Sequence, residues 1–524
     1  MFKMTKIKLW LSQRVEKITV DYEPIYSLLP KFIRGWISLF IWWGKHRDFQ
    51  REAISACKNM NIGQISLPTG TGKTRVQIAL HLNEMMGRQW KRLPSCVVIA
   101  SHRLVLNNQL LKEFASRIKE CELQVILFFL GSGKVRYKDE NFEVLSGLTE
   151  NDLTEAYNKA QQENKHLVIA STYHSFDKLT ALPYIDLCTC DEAHSLTSDL
   201  FMENLQKVRI LRKFFFTATR REDGGNRGMD NKENFGNILY QRYPLYMIER
   251  GEIVRPWIHN LDTEPGDYSN PTMLVNSIMD AFIKHKKAVK DNSCQPELIG
   301  AKLLVTHVSN YKMWNAHRNG KFVNFAKEKN IKVFAFGSQD DQFSVNFQKT
   351  TRENALYELG HLKDDEDAIL FHVDMLTEGI DIPSMTGVMF FSAKNITKIL
   401  QTVGRATRLF PLDREKLYAG EITPYDIEKM IKPYCWILLP EFFKNLRGVE
   451  EMKANIREIY NAIEIPVDSV PKLSGVERDG YYLGMPVACL DMRNDKTTQI
   501  HHSIEAILLD DLSQINMIPI FEED

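Results

Sequence analysis

The sequence predicts an α/β protein in which two parallel-sheet units follow one another along the chain. Short apolar runs alternate with helical patterns from about residue 46 to 245, and the alternation returns at about residue 296. Polar residues follow these runs, at the strand ends where parallel sheets bind ligands. The length of 524 residues also fits two or three domains better than one core.

Each unit takes its predicted strands from four apolar runs. The runs of the first unit are CVVIAS (96–101), HLVIAST (166–172), YIDLCTCDEAH (184–194) and RKFFFTAT (212–219). Those of the second are KLLVTHVS (302–309), KVFAFGS (332–338), AILFHVDM (368–375) and GVMFFSA (387–393). We therefore place the units at 46–245 and 296–430, joined by a linker with a connecting strand at 246–295. Extensions precede and follow them, at 1–45 and 431–524.

The composition narrows the class of protein without identifying a partner. The chain has 67 basic and 67 acidic residues, so its net charge neither supports nor excludes nucleic acid. Eight cysteines without a Cys-x-x-Cys pair indicate a reducing compartment and no structural zinc. The apolar segment 28–46 is interrupted by charges and is too short to span a bilayer, which takes about 20 residues. It predicts a packed helix, with a membrane-surface anchor or a protein-partner surface as alternatives.

The segment PTGTGKT (68–74) predicts a phosphate-binding loop between a strand and a helix. Gly70 and Gly72 let backbone N–H groups face an anion, and the helix adds its N-terminal partial charge. Lys73 can reach the β- and γ-phosphates, and the Thr74 hydroxyl can bind Mg²⁺. Leu67 stands where the strict pattern has a glycine, so a glycine-rich turn before a core helix is the alternative.

The segment CDEAHS (190–195) closes a predicted strand of the same unit. Asp191 is placed to hold Mg²⁺, and Glu192 to orient or deprotonate an attacking water. An Asp-Glu pair alone would more often be a helix cap. In the second unit, QTVGRATR (401–408) puts Arg405 and Arg408 on one helical face. An arginine finger of this kind raises kcat by a factor of about 10³–10⁵. The alternative is that the two arginines lie on a solvated helix face.

These segments together resemble the superfamily 2 helicases and translocases, which implies two tandem RecA-like domains. The resemblance covers residues 46 to 412. Within the superfamily the sequence is most similar to the restriction-motor and phage branch-migration group, and its acidic motif has the DEAH form. The motifs, in order, are RDFQ (47–50), PTGTGKT (68–74), ASHRLVLNNQ (100–109), STYHS (171–175), DEAH (191–194), TAT (217–219), LLVTHVS (303–309), TEGIDIP (377–383) and QTVGRATR (401–408).

The resemblance implies a role for each matching position. The adenine side would be read by Arg47 and Gln50. The phosphates and Mg²⁺ of ATP would be held by Pro68, Thr69, Gly70, Thr71, Gly72, Lys73, Thr74 and Asp191. Catalysis would involve Glu192, Gln401, Arg405 and Arg408, and the nucleotide would meet Gly379 and Asp381 across an inter-domain cleft. Coupling to nucleic acid would run through His194, Thr217 and Thr219. The alternatives are purely structural roles: a core histidine at 194, a strand end at 217–219 and a turn at 381.

The expected nucleic-acid track consists of small hydroxyls and loop groups, which suit phosphate contacts. Helix capping explains these residues equally well. They are Ser101, His102, Arg103, Thr172, Thr306 and Ser309.

The sequence therefore predicts an ATP-dependent helicase or translocase that acts on DNA, with an RNA helicase as an alternative. Its expected location is the cytoplasm of a bacterial or phage-infected cell. A motor subunit of a restriction or defence complex and an ATP-dependent nucleic-acid clamp remain alternatives. Intact Lys73, Glu192 and Arg405 argue against an inactive scaffold.

Overall fold

The computed structural model describes residues 31–102, 113–131, 142–222, 227–261, 270–307, 309–337, 342–373, 382, 384–391, 396–440 and 489–491. The chain divides into two compact units. The first comprises Met1–Leu67, Gly72–Gln241 and Ala488–Asp524, and the second comprises Pro68–Thr71 and Arg242–Val487.

The first unit is built on an eight-stranded sheet in the order β4-β3-β5-β2-β6-β7-β1-β9, with every pair parallel. Strands β2, β3, β5 and β6 are buried along their whole length, because helices cover both faces of such a sheet. The strands are β1 (Ile62–Ser66), β2 (Cys96–Ser101), β3 (Val125–Leu130), β4 (Glu143–Gly147), β5 (His166–Thr172), β6 (Ile185–Asp191), β7 (Ile210–Thr217) and β9 (Ile238–Gln241). A separate pair joins β8 (Arg220–Glu222) to β18 (Cys489–Asp491).

The helices of the first unit begin with α1, which forms from the apolar segment near the start of the chain. Its Leu39 and Trp42 are buried, and Gly35 packs so closely that a Cβ there would lie 2.2 Å from the Cys121 carbonyl oxygen. No described helix combines the length and apolar character needed to cross a bilayer. The helices are α1 (Lys31–Gly44), α2 (Asp48–Ala56), α3 (Lys73–Trp90), α4 (Glu150–Gln162), α5 (Asp199–Lys207) and α6 (Lys232–Phe235).

The second unit holds another eight-stranded sheet, in the order β10-β17-β16-β11-β15-β12-β13-β14. Its pairs are parallel except for the antiparallel pairs of β13 with β12 and β14. The predicted connecting strand lies in this sheet as β10, paired with β17 along seven residues. The strands are β10 (Arg255–Leu261), β11 (Lys302–Thr306), β12 (Lys332–Phe336), β13 (Phe343–Val345), β14 (Gln348–Thr350), β15 (Ala368–His372), β16 (Gly387–Phe390) and β17 (Tyr434–Pro440).

The helices of the second unit pack on this sheet around a core that includes Phe282, Phe322 and Phe371. They are α7 (Pro244–Glu249), α8 (Pro271–Asp291), α9 (Asn310–His317), α10 (Gly320–Glu328), α11 (Arg352–Gly360), α12 (Ile396–Ala406) and α13 (Pro411–Ala419). Two parallel α/β units in tandem confirm the predicted fold class of two RecA-like domains.

Candidate nucleotide-binding site

The glycine-rich loop occupies the turn between strand β1 and helix α3. Gly70 and Gly72 have φ angles of +84° and +86°, which only glycine adopts without strain. The Thr71 hydroxyl donates a hydrogen bond of 2.7 Å to the Pro68 carbonyl oxygen and closes the turn. Helix α3 begins at Lys73, so its first N–H groups and partial positive charge lie at the end of the loop. Backbone, dipole and lysine thus make a local anion site.

Lys73 joins this loop to the acidic motif on strand β6. Its side chain is only 8% exposed, and its Nζ lies 3.4 Å from the Leu67 carbonyl oxygen and 3.8 Å from Glu192 Oε1. A buried ammonium held by one long hydrogen bond and one distant carboxylate remains available to a phosphate. The structure therefore brings Lys73 and Glu192 together.

Asp191 is the last residue of strand β6 and is almost fully buried. Its Oδ1 accepts a hydrogen bond of 2.9 Å from Gln77 Nε2, while Tyr173 Oη donates to its backbone carbonyl at 2.5 Å. Burial, with repulsion from Glu192, raises the pKa of Asp191 to about 6. A buried carboxylate whose charge is disfavoured gains most from a cation, and Thr74 adds a hydroxyl in the first turn of α3. This oxygen donor set fits Mg²⁺.

Glu192 adopts a backbone conformation that is unusual for its residue type. Its φ and ψ angles are +52° and +49°, in the left-handed region. For a residue with a side chain this conformation costs about 1–2 kcal/mol, and such costs cluster at functional sites. Within the described part of the chain, its Oε2 has no hydrogen-bond partner. A carboxylate oxygen in this state can accept a proton from water.

His194 connects the acidic motif to the end of strand β7. Its Nδ1 lies 3.1 Å from the Thr217 hydroxyl oxygen, which donates to the Thr219 carbonyl at 2.6 Å and accepts from the Thr219 N–H at 3.1 Å. Because the hydroxyl hydrogen is used in the bond to Thr219, the ring nitrogen must be the donor. The structure thus joins all three residues that the resemblance assigned to coupling.

The two residues predicted to bind adenine lie at the turn between α1 and α2. Gln50 is fully buried, and its Oε1 accepts the Arg47 backbone N–H at 3.1 Å. A Cβ at Gly72 would lie 2.7 Å from Gln50 Nε2 and 3.3 Å from Arg47 Nη2. Gln50 and Arg47 therefore lie directly against the phosphate loop.

Sequence reasoning missed the residues that fix this turn. Trp42 of α1 lies under two guanidinium groups, with Arg75 Cζ 5.6 Å and Arg117 Cζ 5.7 Å from its ring. His46 packs edge-on against Trp42 at 4.3 Å and bonds to its carbonyl oxygen, and burial lowers the pKa of His46 to about 4. Gln77, which holds Asp191, was also missed. Its one available signal was a polar residue inside an apolar stretch of α3.

The arginine motif lies on helix α12 of the second unit. Gln401 and Arg405 are 3% and 6% exposed, so these side chains do not form a solvated helix face. Arg408 follows the helix end, and burial lowers its pKa. Gly379 and Asp381 of the preceding motif lie outside the described residues.

The predicted nucleic-acid residues lie at strand ends but are engaged locally. Ser101 and Thr172 are register partners at the ends of β2 and β5, and the Thr172 hydroxyl lies 3.2 Å from Ser175 Oγ. Thr306 donates to the Met389 carbonyl at 3.3 Å, and Ser309 caps helix α9. His102 follows β2 and Arg103 lies outside the described residues. Capping and local bonding thus account for part of this set, and its contact with nucleic acid stays a prediction.

Two family models match separate parts of the chain. Residues 44–222 match the res subunit of type III restriction enzymes, and residues 303–410 match the helicase conserved C-terminal domain. No curated protein matches the sequence.

Solved structures with this fold include the ATP-dependent Type ISP restriction-modification enzyme LlaBIII bound to DNA. The TM-score is 0.56 at 16% identity, over 80% of this chain and 30% of that one. A nuclease-deletion mutant of the Type ISP enzyme LlaGI, in complex with a DNA substrate mimic, gives 0.52 at 16% identity, over 91% and 32%. The chain thus spans about a third of the length of either enzyme.

Proposed function

We propose that the chain is a superfamily 2 helicase of the restriction-motor type that hydrolyses ATP to move along or remodel DNA, as its two family-model matches support. The observation that carries this proposal is the cluster of Lys73, Asp191 and Glu192 beside the glycine-rich turn. It combines a phosphate-binding cation, a metal-binding carboxylate and a carboxylate that can act on water. Transfer of a phosphoryl group to water needs all three.

The chain's own residues divide this work. Lys73 and the loop N–H groups bind the phosphates, and Asp191 and Thr74 would hold Mg²⁺, which when bound neutralises charge on the phosphate oxygens. Glu192 orients the attacking water and takes its proton. Gln50 and Arg47 select adenine. We assign Gln401, Arg405 and Arg408 to stabilising the charge on the transferred phosphoryl group during turnover.

DNA is the proposed partner because the first family match is the res subunit of type III restriction enzymes. A second candidate is a motor component that pulls duplex DNA for a nuclease or methylase partner. The similarity to about a third of two larger restriction-modification enzymes favours this candidate. The two candidates differ in whether the isolated chain separates strands.

The first test is the ATPase rate at fixed salt without nucleic acid and with single-stranded, duplex and forked DNA and RNA. Salt is fixed because backbone binding depends steeply on it. Lys73→Ala should weaken ATP binding and abolish turnover, whereas Glu192→Gln should bind ATP and fail to hydrolyse it. Glu203→Gln on the exposed face of α5 removes the same charge and should keep the rate. Near-normal turnover by Glu192→Gln would remove Glu192 as the base.

The nucleic acid that stimulates the rate decides between the candidates. Stimulation by forked DNA with strand displacement supports a helicase. Stimulation by duplex DNA with displacement of a third strand, without unwinding, supports a duplex-pulling motor. Stimulation by RNA alone would contradict the DNA proposal, and hydrolysis without any displacement would indicate a clamp.

A further inference from the structure

The carbonyl end of the arginine helix α12 is held by groups from distant parts of the second unit. The last carbonyls of a helix have no partner within it, and another group must satisfy them when they are buried. Lys432 Nζ donates to the Ala406 carbonyl at 2.7 Å and to the Arg408 carbonyl at 2.5 Å. The Val254 N–H donates to the Thr407 carbonyl at 2.8 Å. The carbonyls of Ala406, Thr407 and Arg408 are thus held by hydrogen bonds from two segments outside the arginine motif.

The backbone of Lys432 is itself held by hydrogen bonds to Asp413. Asp413 of helix α13 is fully buried, and its two carboxylate oxygens accept the backbone N–H groups of Ile431 and Lys432, both at 2.8 Å. Asp413 therefore sets the backbone from which the lysine side chain reaches α12. The lysine is only 2% exposed, so water does not compete for its hydrogen bonds.

We propose that Lys432 is a positioning residue that holds Arg405 and Arg408 in place through the backbone carbonyls beside them. This inference rests on the proposed ATPase function. One bonded carbonyl belongs to Ala406, next to Arg405, and the other belongs to Arg408 itself. A cation at this point also suits the partial negative charge at a helix C-terminus. Loss of the ammonium frees both carbonyls and lets the arginine segment move.

A lysine is a costly choice for this position, which argues that its charge has a use. Burying an ammonium is unfavourable, and an apolar side chain of similar volume would fill the space more cheaply. Burial lowers the pKa of Lys432 to about 8; Cys435 and Asp413 oppose that change, and Lys302 and Arg408 add to it. The ammonium therefore loses its proton at a pH that an assay can reach.

The test compares Lys432→Met with Lys302→Met, a matched control. Lys302 is another fully buried lysine of the same unit; burial lowers its pKa to about 8, and its Nζ lies 3.9 Å from Asp364 Oδ1. The control removes a buried lysine charge that makes neither hydrogen bond to the end of α12. A displacement near 1 Å at a catalytic group costs up to about 10²-fold, so Lys432→Met should lower kcat about 10- to 100-fold. The Kd for ATP should change by less than about 3-fold, because Lys73 and Gln50 are unaltered.

The pH profile separates positioning from general stability. Wild-type kcat should fall as pH rises through about 8, since the ammonium becomes a weaker donor. Lys432→Met should be slow and flat over this range. In Lys302→Met, kcat should still fall as pH rises, but the fall should move to higher pH. The reason is that the Lys302 charge helps to lower the pKa of Lys432. Equal losses in both variants, or a full rate in Lys432→Met, would overturn the inference.

Hydrogen exchange tests the same inference without relying on ATP turnover. The Thr407 N–H bonds to the Val403 carbonyl at 3.0 Å and reports on the helix end. Its exchange should accelerate in Lys432→Met and not in Lys302→Met. If the wild type hydrolyses no ATP but exchange responds in this way, the proposed function fails and the anchoring stands. If the wild type is active and exchange is unchanged in Lys432→Met, the anchoring fails and the function stands.

Discussion

Replacing Gly72 by alanine should weaken ATP binding more than GTP binding. The new Cβ would lie 2.7 Å from Gln50 Nε2, which is closer than a Cβ carbon approaches another heavy atom, so the buried amide must move. Moving it would leave the adenine contacts that we propose for Gln50 unmade, which costs about 1–3 kcal/mol for a buried polar group. By the usual conversion this is roughly a 5- to 150-fold rise in the Kd for ATP. GTP does not use the amide in the same way and should lose less.

The backbone contributes a second, separable effect. With φ at +86°, alanine at position 72 adds about 1–2 kcal/mol of strain regardless of nucleotide. Gly420→Ala is the matched control, because its φ is +74° and no atom lies within 4 Å of the added Cβ. Thermal unfolding should show destabilisation in both variants, and more in Gly72→Ala, where the added Cβ also displaces Gln50. Only Gly72→Ala should change nucleotide preference.

The assay is equilibrium binding of fluorescent ATP and GTP analogues to both glycine variants and to Gln50→Ala. In the Gln50→Ala background, Gly72→Ala should no longer alter the ratio of ATP to GTP affinity, since the displaced group is gone. Equal weakening of ATP and GTP in the single variant would refute the reasoning, because strain and phosphate contacts alone would then explain the loss.

Two further predictions concern stability. Trp42→Ala should lower the unfolding free energy by about 3–5 kcal/mol and weaken ATP binding, because it removes a buried ring beneath Arg75, next to the turn that carries Arg47 and Gln50. Urea unfolding and nucleotide titration check this prediction. Replacement of the half-buried Trp43 by alanine should cost less, and equal losses in the two variants would contradict the prediction. His81 is buried, and burial lowers its pKa from 6.5 to about 3. The unfolded chain therefore binds the proton first, and this histidine destabilises the fold by about 1.4 kcal/mol per pH unit as pH falls from 6.5 towards 3. In His81→Gln, urea unfolding at several pH values should show a shallower slope, and an unchanged slope would contradict the assignment.

Several features followed from the sequence because they depend on local chemistry. Buried parallel strands must be apolar along their length, so β2, β5, β6 and β7 could be recognised as apolar runs in the sequence. The glycines of the phosphate loop were visible because φ angles near +85° exclude other residues. The order of motifs carried the identification of the superfamily and its restriction-motor flavour, which the two family matches support.

The remaining features depend on contacts between residues that are distant in the chain. Lys432 and Ala406 are buried partners, and so are Gln77 and Asp191, yet nothing in their local sequence marks them. The burial of Arg405 was likewise invisible, because two arginines three residues apart read equally well as a solvated face. Sequence alone determined which chemistry the chain carries, since that depends on residue type and spacing. Tertiary structure decided which groups hold that chemistry in place, since burial and hydrogen bonding are fixed only when distant segments meet.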